Sequence, residues 1–469
     1  MAKKQEKAVQ HQHTFTNVWE AVGDNAPIHA FSEGYRAFLD AGKTERLAAL
    51  EIQRMAEAAG YAPLDRVLAQ GEPLKAGQGV YAVNRGKSVI LIRGGRQGLQ
   101  AGLRILGAHI DSPRLDLKPF PLYEEAGMGF LKTHYYGGIR KYQWVSLPLA
   151  LYGTVCLKSG EQVDVAIGDD PQDPVFMITD LLPHLAKDQN EKKLGEGLTG
   201  EGLNVVFGSI PGAGDKDPVK ARLLALLHER YGITEADFTS AELEIVPAGK
   251  AREAGLDRSL LAAYGQDDRV CAYTALQALL TAEVSDFAQV GMFMDKEEVG
   301  SLGNTGSESD YFEYVLSELL ALEKTPHIDL SLKRCLMRSK MLSADVTAGF
   351  DPNYPEVYDK RNTPLLGHGI VMMKYSGSRG KSGCSDANAE FLAEIRAVFD
   401  REAVNWQVGE LGKVDQGGGG TIAYILANRG VDVLDCGVAV LSMHGPWEMT
   451  SKADVYMTYR GYKAFVEKL

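Results

Sequence analysis

The order of hydrophobic and polar positions first predicts a helical segment and then two strands. From residue 14 to residue 60, apolar side chains recur at helical spacing, as in AFLDAGKTERLAALEIQRMAEAAG. The runs KSVILIRGG and LRILGAHID are short, apolar and rich in β-branched residues, which is typical of buried strands. The second of these strands ends in polar residues, so its end is a candidate for function.

The segment from Pro119 to about Pro247 has a different pattern. It is strand-like at WVSLPLALYGTVCL and at QVDVAIG, and then becomes a polar, glycine-rich loop, KDQNEKKLGEGLTGEG. A helix, PVKARLLALLHERYG, and a further strand, AELEIVPAG, complete it. This change of pattern predicts a separate unit within the chain.

From about Lys250, helices and strands alternate. Each of the helical stretches RVCAYTALQALLTAE, YFEYVLSELLALE and TIAYILANRG leads into a strand, namely AQVGMFM, SKMLSADV and VDVLDCGVAVLSMH. Such alternation is typical of a mostly parallel sheet covered by helices on both faces. We therefore predict an α/β fold with a mixed, mostly parallel sheet, in which residues 1–118 and 250–469 form one domain and residues 119–249 are inserted into it.

Composition excludes several classes of protein. The chain has 469 residues, enough for about two domains. Its formal net charge of −12 argues against nucleic acid or an anionic membrane as partner, and no apolar run approaches the roughly 20 residues of a membrane span. The N-terminal residues lack the apolar core of a secretory signal, and the five scattered cysteines fit a reducing compartment, so we expect a cytoplasmic protein.

Candidate chemistry lies where the predicted strands end. In open α/β sheets, ligands bind beyond the carboxyl ends of the strands, so polar residues at those positions are candidates for a functional site. They include two histidines and several acids but no cysteine. The set comprises His109 and Asp111 after LRILGA, Glu297 and Glu298 after AQVGMFMDK, Asp345 in SAD, His444 in SMH, and Asp267 and Asp268 in GQDDR at a helix start.

Imidazole and carboxylate groups suit zinc, manganese or cobalt. The set exceeds the three protein ligands of one catalytic zinc and fits two metals about 3.5–4 Å apart. Two cations would also remove the repulsion between Glu297 and Glu298, one of which could bind metal while the other carries protons. Asp111 shares a strand face with His109 and could hold the second imidazole nitrogen while the first binds metal.

Each of these features alone has an ordinary explanation. A His-x-Asp triplet arises by chance, paired glutamates occur in solvated turns, Asp345 could cap a helix, and His444 could be a loop histidine. Ser301 and Ser343 have no adjacent His–Asp system, so serine-hydrolase chemistry is unsupported. The prediction of a metal site therefore rests on several polar strand ends occurring in the same α/β half.

Five motifs, taken together, resemble the M18 aminopeptidases, the aspartyl aminopeptidase family: GAHIDSPRLDLKP, GQDDRV, DKEEVGS, LSADVTAGFDPNY and SMHGPWEM. HYYGGIRKYQWVSLPLALYG is similar to the bacterial branch. The resemblance implies a catalytic site in which Asp111 orients a metal-binding histidine and Glu297 is the general base. It implies as metal ligands His109, Asp267 (bridging both metals), Glu298, Asp345 and His444. Relatives usually have Asp-Asn where this chain has Asp267 and Asp268.

The resemblance also implies a fold and an assembly. The family fold is a phosphorylase/hydrolase-like α/β catalytic domain with an inserted β-rich dimerisation domain, and its members build tetrahedral dodecamers from dimers. His184, in LLPHLAKDQ, occupies the position of a histidine that reaches a neighbouring subunit's active site. His368 and Lys374 are candidates for the substrate pocket, Lys374 as a partner for a carboxylate. VDQGGGGTIA departs from the aspartyl-preferring members, so acidic and neutral N-terminal residues both stay open as preferred substrates.

The expected function is that of a cytoplasmic aminopeptidase which uses two divalent ions, zinc or else cobalt or manganese, to release N-terminal residues from short peptides. We expect a homo-oligomer and no nucleic acid or membrane partner. One alternative is a dimetal carboxypeptidase or an N-deacylase of small metabolites. Another, from a different class, is a non-catalytic assembly protein of the same fold.

Overall fold

The structure is a computed structural model that describes residues 13–214 and 216–469, so most of the N-terminal segment judged not to be a secretory signal, residues 1–12, lies outside the described residues. The described part contains thirteen α-helices and twenty-two strands. The helices are α1 (Val18–Ala21), α2 (Ala26–Ala41), α3 (Glu45–Ala58), α4 (Leu64–Leu68), α5 (Lys187–Asn190), α6 (Leu194–Gly197), α7 (Pro218–Tyr231), α8 (Gln266–Thr281), α9 (Tyr311–Leu322), α10 (Ile328–Met337), α11 (Ala389–Arg401), α12 (Ala423–Ala427) and α13 (Lys452–Lys468). The strands are β1 (Ala62–Pro63), β2 (Gly79–Asn84), β3 (Ser88–Arg93), β4 (Leu103–His109), β5 (Arg114–Glu125), β6 (Met128–Tyr136), β7 (Leu149–Cys156), β8 (Gln162–Ile167), β9 (Val205–Gly208), β10 (Ala241–Pro247), β11 (Arg252–Ala254), β12 (Leu260–Ala263), β13 (Ala288–Met294), β14 (Lys340–Ser343), β15 (Thr347–Ala348), β16 (Ile370–Met373), β17 (Gly377–Ser378), β18 (Trp406–Val408), β19 (Gly418–Gly419), β20 (Asp432–Gly437), β21 (Ala439–Leu441) and β22 (Glu448–Ser451).

The largest sheet has nine strands in the order β1-β2-β3-β13-β4-β14-β20-β16-β18. Its centre, β13-β4-β14-β20, is parallel, while β3 and β16 run antiparallel to their inner neighbours. The predicted α/β class is therefore confirmed, with a mixed sheet.

Both faces of this sheet are covered by helices because its strands carry apolar side chains on alternate sides. In β3, Val89 and Leu91 join the core packed by α2, α3, α8, α11 and α13, whereas Ile90 and Ile92 join the core packed by α4, α9, α10 and α12. All four residues are at most 1% exposed. Burial on both faces explains why the sequence of this strand is continuously hydrophobic.

A second sheet of six antiparallel strands, β8-β7-β10-β5-β6-β9, is built from strands that lie between Arg114 and Pro247. It has its own core around Leu131, Trp144 and Ile245. Its first strand begins ahead of Pro119, directly after the end of β4. The exact limits of an inserted domain stay a prediction, but the sheet starts close to the edge of the nine-stranded sheet where β4 ends.

The run VDVLDCGVAVLSMH, expected to be one strand, forms two. β20 belongs to the nine-stranded sheet and β21 to a five-stranded sheet of order β11-β12-β22-β21-β15. The chain changes sheets at Gly437, where a Cβ atom would lie only 1.9 Å from the carbonyl oxygen of Asp345, so a side chain would prevent this close passage. His444 consequently follows a strand of the smaller sheet.

Among the helices of the described residues, none combines the length and the apolar character that crossing a bilayer requires.

Candidate metal centre

The parallel register of the central strands brings their polar ends together. His109 ends β4 and pairs with Met294, which ends β13, and Ser343 at the end of β14 pairs with Gly107 in β4. The residues that follow these strands therefore share one edge of the sheet. This places His109, the Glu297–Val299 turn and Asp345 side by side.

His109 is 2% exposed, and its two ring nitrogens face different partners. Nδ1 lies 3.0 Å from the backbone oxygen of Asp111 and 3.3 Å from Asp111 Oδ1. Nε2 lies 3.1 Å from Asp267 Oδ1 and 3.8 Å from Asp345 Oδ1. When Nδ1 carries the hydrogen that it donates to Asp111, the lone pair of Nε2 points at carboxylates, an arrangement that suits a cation bound between them.

His444 has the same arrangement. Its Nδ1 lies 3.0 Å from the carbonyl oxygen of Gly138, whereas Nε2 lies 3.2 Å from Asp267 Oδ2 and 3.4 Å from Glu298 Oε1. Burial alone would lower the pKa of His444, but its hydrogen bond to Asp267 and the charge of Glu298 outweigh burial and raise the pKa to about 10. The site therefore attracts positive charge at this nitrogen.

Asp267 lies between the two imidazoles, with one carboxylate oxygen facing each. It stands in the first turn of α8, after Gly265 in the left-handed conformation. Burial opposes its charged form, yet hydrogen bonds to His109 and His444 outweigh burial and lower its pKa. Asp267 is thus a carboxylate that stays ionised and can serve two cations at once.

The adjacent glutamates are held by Asp111. The backbone N–H of Glu297 donates to Asp111 Oδ1 at 3.1 Å, and that of Glu298 donates to Asp111 Oδ2 at 3.2 Å. Lys296 and Gly300, on either side of this turn, have left-handed backbone conformations. Asp111 therefore contacts His109 and also fixes the turn that carries both glutamates.

The two glutamates differ in exposure and position. The Glu298 side chain is 5% exposed and faces His444, whereas that of Glu297 is 17% exposed, with Oε2 3.9 Å from His109 Nε2. Burial raises the pKa of Glu297 to about 7; the charge of His109 opposes this, while Asp111 and Asp267 add to it. A carboxyl group with a pKa near 7 at the open side of the site suits proton transfer.

The donor set fits divalent cations. Ligand atoms of His109, Asp267 and Glu298 lie within 4.8 Å of one another, and so do those of His109, Asp268 and Asp345. Both carboxylate oxygens of Asp268 and Oε1 of Glu298 are buried and accept no hydrogen bond from the described residues. So many buried carboxylates are costly unless cations neutralise them. His109 has a single free nitrogen and can therefore bind only one ion, while His444 offers a second imidazole on the other side of Asp267.

A cavity of about 420 Å³ opens beside this centre. The acids and His444 form one side of it. Its remaining walls combine apolar side chains, glycine backbone and hydroxyl groups, contributed by Val346, Thr347, Met373, Ser376, Leu411, Gly418, Gly419, Gly420, Thr421, Tyr424 and Met443, with Gly300 and Ser301 at the glutamate turn. The cavity can hold an amino-acid side chain next to the metal centre.

The three predicted substrate-binding residues do not line this cavity. Lys374 Nζ lies 2.7 Å from Asp386 Oδ1, and His368 Nδ1 lies 3.2 Å from the carbonyl oxygen of Leu366. His184 is exposed in the Pro183–Leu185 turn. A role for His184 would require another subunit, and the roles of all three stay predictions.

Three further residues contact the centre without having been predicted. Tyr136 Oη donates to Asp111 Oδ2 at 2.7 Å, the carbonyl of Gly138 accepts from His444, and Glu448 contacts the backbone of two candidate ligands. Tyr136 and Gly138 follow one another closely at the end of β6, in the six-stranded sheet. Their segment, HYYGG, was visible in the sequence only as part of a family likeness, since no pattern indicates that this tyrosine hydroxyl and this glycine carbonyl will reach the site.

Comparison with known proteins supports one family over nearly the whole chain. The family model described as "Aminopeptidase I zinc metalloprotease (M18)" matches residues 38–466. A protein of Clostridium acetobutylicum named "Probable M18 family aminopeptidase 1" is 52% identical over 456 residues, which cover 96% of this chain and 98% of that protein. The crystal structure of an M18 family aminopeptidase from Thermotoga maritima is 46% identical, with a TM-score of 0.94 over 98% of this chain and 100% of that one. The structure of the S. cerevisiae mApe1 dodecamer, 21% identical with a TM-score of 0.75 over 93% of this chain and 96% of that one, shares the fold.

Proposed function

The chain belongs to the M18 family of zinc aminopeptidases, and from this premise we propose that it releases N-terminal residues from short peptides with two divalent ions and Glu297 as general base. The observation that carries the proposal is the position of Asp267, whose two oxygens face His109 and His444 separately. A carboxylate whose two oxygens face two different imidazoles can bridge two metal ions, which supports a two-metal hydrolase.

The ligands divide into two sets around this bridge. The first is His109, Asp267 Oδ1 and Asp345, and the second is Asp267 Oδ2, Glu298 and His444. Zinc agrees with the family description, while cobalt and manganese suit the same nitrogen and oxygen donors. When bound, such ions polarise the scissile carbonyl group and lower the pKa of the attacking water.

The residues of the chain then supply orientation and proton transfer. Asp111 holds the Nδ1 side of His109, so that Nε2 faces the metal site. Glu297 accepts a proton from the attacking water while the water oxygen bonds to the carbonyl carbon. It then delivers a proton to the leaving nitrogen as the C–N bond breaks. The free N-terminal amine of the peptide binds near the acids of the centre, and the side chain of the N-terminal residue enters the adjacent cavity.

The proposal extends to fold and assembly. We assign the phosphorylase/hydrolase-like arrangement to residues 1–118 and 250–469 and a dimerisation role to residues 119–249, within a cytoplasmic, dimer-built tetrahedral dodecamer. Leu181, Leu182 and Leu185 are at least 50% exposed beside His184, which supports a contact with another subunit there. The five cysteines are free thiols, which supports the cytoplasmic location.

The test combines metal content with a substrate panel. Purified protein reconstituted with zinc, cobalt or manganese is assayed against aminoacyl-4-nitroanilides and against N-acylated amino acids, and bound metal is counted per chain. We expect two ions and hydrolysis only of substrates with a free amine. A single ion per chain would refute the two-metal centre, and hydrolysis only of N-acylated compounds would favour an N-deacylase.

The role of His184 needs a separate test. His184→Ala should lower turnover while metal content and the sedimentation coefficient stay unchanged. His228→Ala, an exposed histidine on α7, is the matched control and should behave as the wild type. Sedimentation of the wild type as a monomer would contradict both the assembly and the role of His184.

A further inference from the structure

Glu448 is a buried acid that contacts two candidate metal ligands through their backbone. Glu448 is the first residue of β22 and is only 2% exposed. Oε2 accepts a hydrogen bond from the backbone N–H of Asp267 at 3.1 Å, and Oε1 accepts one from the backbone N–H of His444 at 2.8 Å. One carboxylate thus joins the start of α8 to the segment of His444, which are far apart in sequence.

A second contact fixes the same pair of elements. Gln266, the residue before Asp267, donates from Nε2 to the backbone oxygen of Glu448 at 2.7 Å and to that of Leu261 at 3.1 Å. β22 pairs with β12 in a register that sets Glu448 opposite Ala263. Two side chains therefore join the start of α8 to β22: Glu448 accepts from the backbone of Asp267, and Gln266 donates to the backbone of Glu448. These contacts leave Asp267 little freedom to move.

We propose that Glu448 is a positioning residue that sets the separation of Asp267 and His444, and thereby the affinity of the ion which these two residues share. This inference rests on the ligand assignment proposed above. Two of the three proposed ligands of that ion, Asp267 and His444, hydrogen-bond to Glu448, while the ion on the side of His109 and Asp345 depends on Glu448 through Asp267 alone. The effect of removing this carboxylate should therefore be larger for the ion on the His444 side.

Glu448→Gln is the first variant because it preserves shape. A carboxylate accepts with both oxygens, but an amide accepts with one and presents N–H groups on the other side. One of the two backbone N–H groups then loses its acceptor and faces another donor. Partners of metal ligands contribute about 10–100-fold to metal affinity, so we expect a loss of this size for one ion and a smaller loss for the other.

The matched control is Asp454→Asn. Asp454 is also fully buried, and its two oxygens likewise accept from two backbone N–H groups, those of Gly367 and Gly369, each at 2.7 Å. It contacts none of the proposed ligands. Each substitution removes one of the two buried carboxylate oxygens that accept backbone hydrogen bonds, so both should lower the melting temperature of the metal-free protein. Only Glu448→Gln should change metal affinity.

The measurement is competition of the purified full-length variants with a chromophoric zinc chelator, followed by turnover of an aminoacyl-4-nitroanilide at increasing zinc. We expect Glu448→Gln to need about 10–100-fold more zinc for half-maximal turnover and to approach wild-type kcat when saturated, because the reacting groups remain. Unchanged zinc affinity in Glu448→Gln, or an equal loss in Asp454→Asn, would overturn the inference.

Two provisions keep the test decisive. If Glu448→Gln does not fold, Glu448→Asp retains both acceptor oxygens and withdraws them by one methylene, and it should weaken zinc binding in the same direction; unchanged binding would contradict the proposal. If the wild type binds a single ion, the two-ion centre is refuted on its own, while a loss of affinity for that ion in Glu448→Gln still supports Glu448 and no loss still rejects it.

Discussion

Replacing Glu297 by glutamine tests the proposed general base with little structural change. Glutamine has nearly the same shape, and the backbone N–H of residue 297 remains bound to Asp111 Oδ1. Glu297 is not among the ligands assigned to either ion, and its Oε2 is 3.9 Å from His109 Nε2. The variant should therefore bind metal normally while losing the group that accepts the proton.

The expected loss follows from this single role. A positioned general base contributes about 10²–10⁴-fold to the rate, so kcat should fall by that factor, equivalent to about 2.7–5.4 kcal/mol in the activation free energy. KM should change little because a base makes its contribution mainly in the transition state.

The pH dependence gives a second readout. Burial raises the pKa of Glu297 to about 7, and bound cations act in the opposite direction by stabilising its carboxylate. Because the base must be ionised, kcat/KM of the wild type should fall as the pH decreases through an apparent pKa at or below about 7. This acid limb should be absent from the residual activity of Glu297→Gln.

Hydrolysis of an aminoacyl-4-nitroanilide, measured together with metal content, is the assay. Glu313→Gln is the control, since Glu313 pairs with Arg429 at 3.0 Å and does not line the cavity. Turnover of Glu297→Gln within about threefold of the wild type, with metal bound, would refute the base assignment. Loss of an ion from the variant would show that Glu297 is a ligand instead.

Three other predictions address the metals and the substrate pocket. Dialysis against a chelator should abolish turnover and lower the melting temperature, and zinc should restore both; activity that survives complete metal removal would exclude a metal-dependent reaction. Asp111→Asn should weaken zinc binding by about 10–100-fold, measured by chelator competition, because its side chain contacts His109 and also holds the turn of Glu297; unchanged affinity would show that Asp111 has no orienting role. Lys374→Met tests the predicted contact with a substrate carboxylate: KM for an aspartyl substrate should rise selectively over KM for a leucyl substrate, and an unchanged ratio of the two KM values would show that Lys374 serves only its ion pair with Asp386.

Features that repeat along the chain could be predicted from the sequence. The apolar runs that end in His109 and precede Glu297 mark central strands, and the carboxyl ends of parallel strands must meet at one edge of a sheet. The α/β class followed from such patterns, whereas membership of the M18 aminopeptidase family followed from the resemblance of five motifs; both are confirmed. VDVLDCGVAVLSMH was wrongly predicted to be one strand, because both of its halves are buried and hydrophobicity does not show a change of sheet.

Features formed by backbone groups could not be predicted in this way. Asp111 accepts from two backbone N–H groups of the glutamate turn, and Glu448 accepts from those of Asp267 and His444. Every residue except proline has such an N–H, so the sequence does not indicate which of them will meet a buried acid. These contacts depend on the relative placement of segments that only the complete fold brings together.

The inserted segment illustrates the same limit and explains one consequence of the fold. Tyr136 donates to Asp111 and the Gly138 carbonyl accepts from His444, so two residues at the end of β6 contact both sides of the metal centre. A Cβ atom at Gly138 would lie 3.2 Å from His444 Nδ1, so a side chain at this position would push His444 by a few tenths of an ångström. The six-stranded sheet therefore supplies hydrogen-bond partners that hold an acid and a histidine of the candidate metal centre in place, so a shift of this sheet would change the positions of Asp111 and His444 directly.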